Sequence, residues 1–149
     1  MSFSSDIKRF NDKVDRAASA IFRGTALDLA SKVIRRTPVG NPGDWKSPNS
    51  APEGYAGGAL RGSWIVKINT VPTGIPGIKD KSGAKTIAAA AATTARARIG
   101  DTVFLVNNLP YAQAVEEGHS QRQAPQGMVE VTVAEFKSVV SARARKHKV

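Results

Sequence analysis

Residues 103–129 read VFLVNNLPYAQAVEEGHSQRQAPQGMV, and the fold turns on how this stretch divides. Val103, Phe104, Leu105 and Val106 form an unbroken run of β-branched, aromatic and aliphatic side chains, which suits a pleated, half-buried surface, so the stretch opens with a strand. Asn107 and Asn108 end it, because their side chains bond nearby backbone and tolerate turn conformations. Pro110 lacks the N–H that a sheet interior requires. Tyr111, Ala112, Ala114 and Val115 then place apolar groups at the spacing of one or two helical turns, with Glu116 and Glu117 at the far end and Gly118 as a C-terminal helix glycine. Residues 119–127 are polar and punctuated by Pro125 and Gly127, which predicts an exposed loop before the apolar pattern resumes at Met128 and Val129.

The strand needs a partner, and residues 63–70 supply one. Trp64, Val66 and Ile68 alternate with Ile65, Lys67 and Asn69, the pattern of a strand with one buried and one mixed face, which predicts antiparallel pairing with residues 102–107. Between the two lie a glycine-, proline- and lysine-rich segment at 73–83 and an alanine-rich segment at 85–98, which predicts a helix ending near Arg96 and Arg98. Downstream, Val129, Val131 and Val133 alternate as a strand would, while Val133, Phe136, Val139 and Val140 fit a helical face. A short strand at 129–132 before a helix at 133–145, and a helix from Met128 onward, both fit the pattern.

Upstream, Ser4 or Ser5 followed by Asp6 marks a helix start. Phe3, Ile7, Phe10, Val14, Ala17 and Ile21 recur at intervals of four and three, and Phe22, Ala26, Leu29, Ala30, Val33 and Ile34 continue the stripe slightly rotated, so one long helix reaches about Arg36. Gly24 inside it costs roughly 1 kcal/mol relative to alanine, which predicts a bend or a close contact there. Thr37-Pro38 ends the helix, since the residue before a proline is disfavoured in the helical region. Residues 39–58 hold too many glycines and prolines for a regular element. Trp45 and Tyr55 stand out in this loop as rigid aromatics, suited either to a neighbouring subunit or to packing back on their own domain.

The expected fold class is therefore α+β: a long N-terminal helix and a C-terminal helix packed on a small antiparallel sheet, with a long Gly/Pro-rich loop. A chain of 149 residues fits one domain, expected over 1–142 with flexible loops at 39–58 and 72–84, and a basic tail at 143–149. With no cysteine, the chain has no disulfide framework and no thiolate metal site. No apolar run approaches the roughly 20 residues a membrane helix needs, so no membrane association is expected. Twenty-two basic against twelve acidic residues leave a net charge of +10, which favours polyanionic partners. The basic excess is uneven: residues 99–118 carry three acidic and no basic side chains, an acidic island suited to opposite-charge contact between copies.

The order strand, N-N-x-P-Y-A-x-x-V-E-E-G at 107–118, and Q-x-P-x-G-M at 123–128 resembles the small tail-component proteins of long-tailed bacteriophages, which sit in the neck or at the head-proximal end of the tail. Thr37-Pro38-Val39 after the long helix, and Gly58, Ala59, Leu60, Arg61, Gly62, Ser63 and Trp64, resemble the same family's T-P-V and G-A-L-R-x-S-W blocks, although residues 40–57 make a longer spacer than the family's direct connection. The resemblance implies a structural virion protein: a ring, expected to be a hexamer, that joins or completes the tail and surrounds the DNA path, with connector, neck and tail proteins as partners. It would be located in the virion after assembly in the host cytoplasm, with no catalysis and no cofactor. The expected subunit-interface residues are Trp45, Tyr55, Leu60, Trp64, Pro110, Tyr111, Glu116 and Glu117. Lys79, Lys81, Lys85, Arg143, Arg145, Lys146 and Lys148 are expected to face DNA or an acidic partner.

Other chemistry finds little footing. His119 beside Glu116 and Glu117 hints at acid–base or metal chemistry, but the spacing matches no ligand pattern and suits a solvated loop histidine. No serine has a base partner in sequence context. Gly54, Gly57, Gly58 and Gly62 follow no predicted strand and lack a phosphate-loop lysine. The alternative reading is a non-specific nucleic-acid-binding protein acting through phosphates, since no recognition helix or stacking platform appears.

Overall fold

In the computed structural model, which describes residues 2–148, helix α1 runs unbroken over Phe3–Arg36. Ser2 rather than Ser4 or Ser5 caps it, accepting from the Ser5 N–H at 3.3 Å. Asp6 in the first turn and Arg35 and Arg36 in the last complement the helix dipole. Thr37, at φ −67° and ψ 126°, leaves the helical region as the residue before Pro38 must. Gly24 marks a close contact. A Cβ there would stand 2.9 Å from the Arg143 side chain, which crosses α1 at this point.

After two short 3-10 turns in the loop, at Pro42–Asp44 and Pro48–Ser50, comes a single helical turn, α2 (Ala59–Gly62), and then strand β1 (Trp64–Ile68). It pairs antiparallel with β2 (Val103–Asn107), with Trp64 opposite Asn107 and Ile68 opposite Val103. The fold class is thus α+β as expected. Helix α3 (Ala84–Thr94) packs on β1 and α1 through narrow residues, with Thr86, Ala90 and Thr94 buried. It stops before Arg96 and Arg98, which lie in the turn that follows. Its N-terminus is capped from a distance. The buried Asp80 carboxylate accepts the N–H groups of Gly83 and Thr86, both at 2.9 Å, and the Thr86 hydroxyl at 2.8 Å.

Helix α4 (Ala112–Ala114) continues as a wide turn over Val115–His119, closed by Gly118 at φ 89°. Residues 129–132 are not a strand: helices α5 (Val129–Val133) and α6 (Phe136–Lys146) follow the 119–127 loop. Both are tied to α1. Glu135 accepts from Lys32 at 2.8 Å and Arg36 at 2.6 Å, Arg36 also donates to the Thr132 hydroxyl at 2.9 Å, and Arg143 grips Asp28 through two bonds at 2.6 and 2.5 Å. The expected basic tail therefore begins inside a helix, because Arg143, Arg145 and Lys146 form the last turn of α6.

The core gathers Ala30, Val33, Ile34, Leu60, Trp64, Ala90, Ala124 and Met128. Only the second half of α1 reaches it. Residues 2–16 are exposed throughout, and their apolar stripe is uncovered: Phe3 is 83% and Phe10 57% exposed.

Candidate functional site

The two sequence blocks on either side of the long loop meet in space. The Trp64 indole N–H donates to the Thr37 hydroxyl at 2.7 Å, and that hydroxyl donates to the Val33 carbonyl at 2.8 Å. Arg61 reaches the end of α1, donating to the Thr37 carbonyl at 2.6 and 3.0 Å and to the Arg35 carbonyl at 3.1 Å, and it also bonds the Lys81 carbonyl. One guanidinium thus satisfies carbonyls at a helix C-terminus that have no partner within the helix. Leu60 and Trp64, expected at a subunit interface, are instead buried core residues because this junction needs them.

Beside the junction the 39–58 loop closes over the 111–123 segment and leaves an open cleft of about 760 Å³. Trp45 and Tyr55 pack edge to face, with ring centroids 5.0 Å apart, so both fold back on their own domain. The Tyr55 hydroxyl sits over Gly40, where a Cβ would collide with it. The cleft floor is pinned by Gln123, whose side-chain amide accepts from the Val39 N–H at 2.9 Å and donates to the Val39 carbonyl at 3.0 Å. An Arg122–Asp44 ion pair at 2.6 Å ties the loop to the same segment. Tyr111 faces Tyr55 across the cleft wall. Burial, and secondarily Tyr55, raises its phenol above the ordinary value.

The carboxylates of the 99–118 island have mostly structural work. Glu116 turns inward and caps α5, accepting the N–H groups of Met128 at 2.8 Å, Val129 at 2.9 Å and Glu130 at 2.8 Å. Burial pushes its carboxyl up, but these three donors hold it below the ordinary value. Gly127 is required here. At φ 78°, it also leaves no room for a Cβ beside the Glu116 carboxylate. Asp101 accepts from the Asn69 amide at 2.8 Å and the Arg98 N–H at 2.7 Å. Of the three acidic residues, Glu117 is exposed; Gln113 donates to it at 2.9 Å. Glu116 is thereby removed from the expected interface set, whereas Pro110, Tyr111 and Glu117 remain at the surface.

His119 does not face these carboxylates. Its Nδ1 lies 2.7 Å from the Ala114 carbonyl, which can only accept, so that nitrogen carries the proton. Among the described residues no three His, Asp or Glu side chains converge to hold a metal ion, and no helix is long and apolar enough to cross a membrane. Lys79, Lys81, Lys85, Arg145, Lys146 and Lys148 are exposed, whereas Arg143 is held by Asp28 and so is not free to face DNA or an acidic partner.

The chain matches no family model, no curated protein and no solved structure.

Sequence reasoning missed Asp80, Arg61 and Gln123. Asp80 carried a signal, being the one acid among the basic residues of 67–98 and standing just before the alanine-rich helix. Arg61 and Gln123 lie inside the G-A-L-R-x-S-W and Q-x-P-x-G-M blocks, but they act across 24 and 84 positions of sequence, and nothing local assigns either its role.

Proposed function

We propose that this protein is a structural subunit of a phage head–tail junction, assembling as a ring that joins or completes the tail around the DNA path. The observation that carries the reading is how much large apolar surface the folded chain leaves uncovered. Phe3, Ile7 and Phe10 on α1, Tyr55 and Tyr111 beside the cleft, and Val133 and Phe136 at the C-terminal helices are all exposed. Such patches mark contact surfaces, and copies that meet head to tail through two different surfaces form a ring where the rotation between them closes. The interlocked Thr37 and Trp64 support the resemblance, since the residues that carry it form one structural unit.

The exposed lysines and arginines suit a subunit that lies along a DNA path, where contact is with phosphates and independent of sequence. The same residues favour the second reading, a free nucleic-acid-binding protein. Electron microscopy of phage particles assembled without the protein separates the two. Full heads beside unattached tails are expected, and normally joined virions would remove the proposal. Tight, steeply salt-dependent DNA binding by an isolated monomer would favour the second reading.

A further inference from the structure

The uncovered stripe of α1 and an apolar groove of the body lie on one face of the same helix. The groove, about 560 Å³, is walled by Ala18, Ile21, Phe22, Thr25, Ala26 and Leu29. Across from them stand β2, Ile99 and Phe136. At 100° per residue, Phe3, Ile7, Phe10 and Val14 point in the same direction as Ala18, Ile21 and Thr25. The stripe occupies positions 3–14 and the helical wall positions 18–29, each about 16 Å long at 1.5 Å per residue. Donor and acceptor are matched in length.

We infer that the N-terminal arm of α1 in one copy lies in this groove of a second copy. The arm cannot fill its own groove, because the groove wall is the unbroken continuation of the same helix. The chemistry fits a copy of this chain. The arm carries Lys8, Arg9, Asp12 and Arg16 on the face opposite the stripe, with Asp6, Asn11 and Lys13 on its flanks, so it offers one narrow apolar edge of the width an apolar cleft accepts. Room is adequate: a cavity of about 150 Å³ holds one benzene ring, so the groove holds roughly three or four side chains of that size, the number the stripe supplies. Phe3 and Phe10 alone bring about 300–500 Å² of the roughly 800 Å² per partner in a standard interface. Under the ring reading each copy gives its arm to one neighbour and receives one from the other, a head-to-tail contact, whereas mutual exchange between two copies makes a dimer. The inference rests on the ring reading and names its contact.

The cysteine-free sequence allows a direct test. Full-length Phe10→Cys protein, mixed with Ile99→Cys or Phe136→Cys protein carrying a different mass tag, is oxidised, with Thr73→Cys as the exposed control. Mixed disulfides formed with the groove variants and not with the control support the inference. Oligomers that form without those disulfides overturn it and leave the ring reading standing. Protein that stays monomeric at every concentration overturns both. As a second arm, Phe10→Asp, at an exposed position that the monomer does not need, weakens self-association at least about tenfold with an unchanged circular dichroism spectrum. Unchanged association overturns the inference.

Discussion

The hydroxyl of Thr37 stands 2.7 Å from the indole nitrogen of Trp64, accepts its N–H and in turn donates a hydrogen bond to the Val33 carbonyl, so the end of α1 and the start of β1 share one buried hydrogen-bond relay. Replacing Trp64 by Phe leaves the hydroxyl without its donor and opens space in the core. A loss of about 2–4 kcal/mol is expected in urea unfolding. Thr37→Val in the same background costs less than it does alone, because the shared bond is already gone. Strict additivity in the double-mutant cycle would contradict the relay.

Acid should weaken the fold through its caps. Glu116 and Asp80 are both held below their ordinary carboxyl values in the folded chain, against burial, by the N–H groups they accept. Their stabilisation is therefore complete above the ordinary carboxyl range, and it is lost as pH falls through the lowered folded values. Urea midpoints are expected to hold steady near neutrality and fall steeply in acid. Glu116→Gln should lower the midpoint at pH 7 and flatten the acid limb. A variant that keeps the full wild-type acid dependence would show that Glu116 does not contribute to it.

Arg143 and Arg145, one helical half-turn apart, should part company on substitution. Arg143→Ala breaks the bidentate grip on the half-buried Asp28, and about 1–2 kcal/mol of stability should go with it, discounted for partial exposure. Arg145→Ala, at an exposed site, should leave the melting curve unchanged. If the last turn of α6 faces DNA, it should also lower the salt slope of DNA binding by about one. Equal destabilisation by the two changes would contradict the assignment.

Gly24→Ala should change sign with its background. Alanine gains roughly 0.5–1 kcal/mol in a helix interior, but its Cβ meets the Arg143 side chain at 2.9 Å and pushes it off Asp28. In the wild-type chain the change should be neutral or destabilising. In the Arg143→Ala chain it should stabilise by the full helical gain. Thermal melts of the four proteins decide this.

Much of this architecture was legible in local pattern. The alternation around Trp64 and the apolar run at Val103 gave two strands and their pairing, and Thr37-Pro38 gave the end of α1 to the residue. What local pattern left open was decided by distant groups. Val129, Val131 and Val133 favour a strand by propensity, but Glu116, twelve or more positions away, binds the first N–H groups of that segment and the Thr132 hydroxyl bonds the Met128 carbonyl at 2.7 Å, so it coils as a helix. Periodicity has a second blind spot. It placed Phe3, Ile7, Phe10 and Val14 on a common face but said nothing of whether that face is covered. Of the expected interface set, Tyr55 and Tyr111 stand exposed, while Leu60, Trp64 and Glu116 are drawn in by packing and capping that only the folded chain displays.

Helix α1 is consequently two materials in one rod. Its second half is welded to the body by Asp28, Lys32 and Arg36. Its first half has its backbone ladder, the Ser2 cap and an Arg9–Asp6 ion pair, all within the helix itself, and an isolated helix of that length is marginal in water. In a dilute, solitary molecule the early turns should fray, trade their amide hydrogens with solvent quickly and offer themselves to proteases, while the later turns resist both. Clipping near Arg9 or Arg16 would then report how often a molecule stands alone.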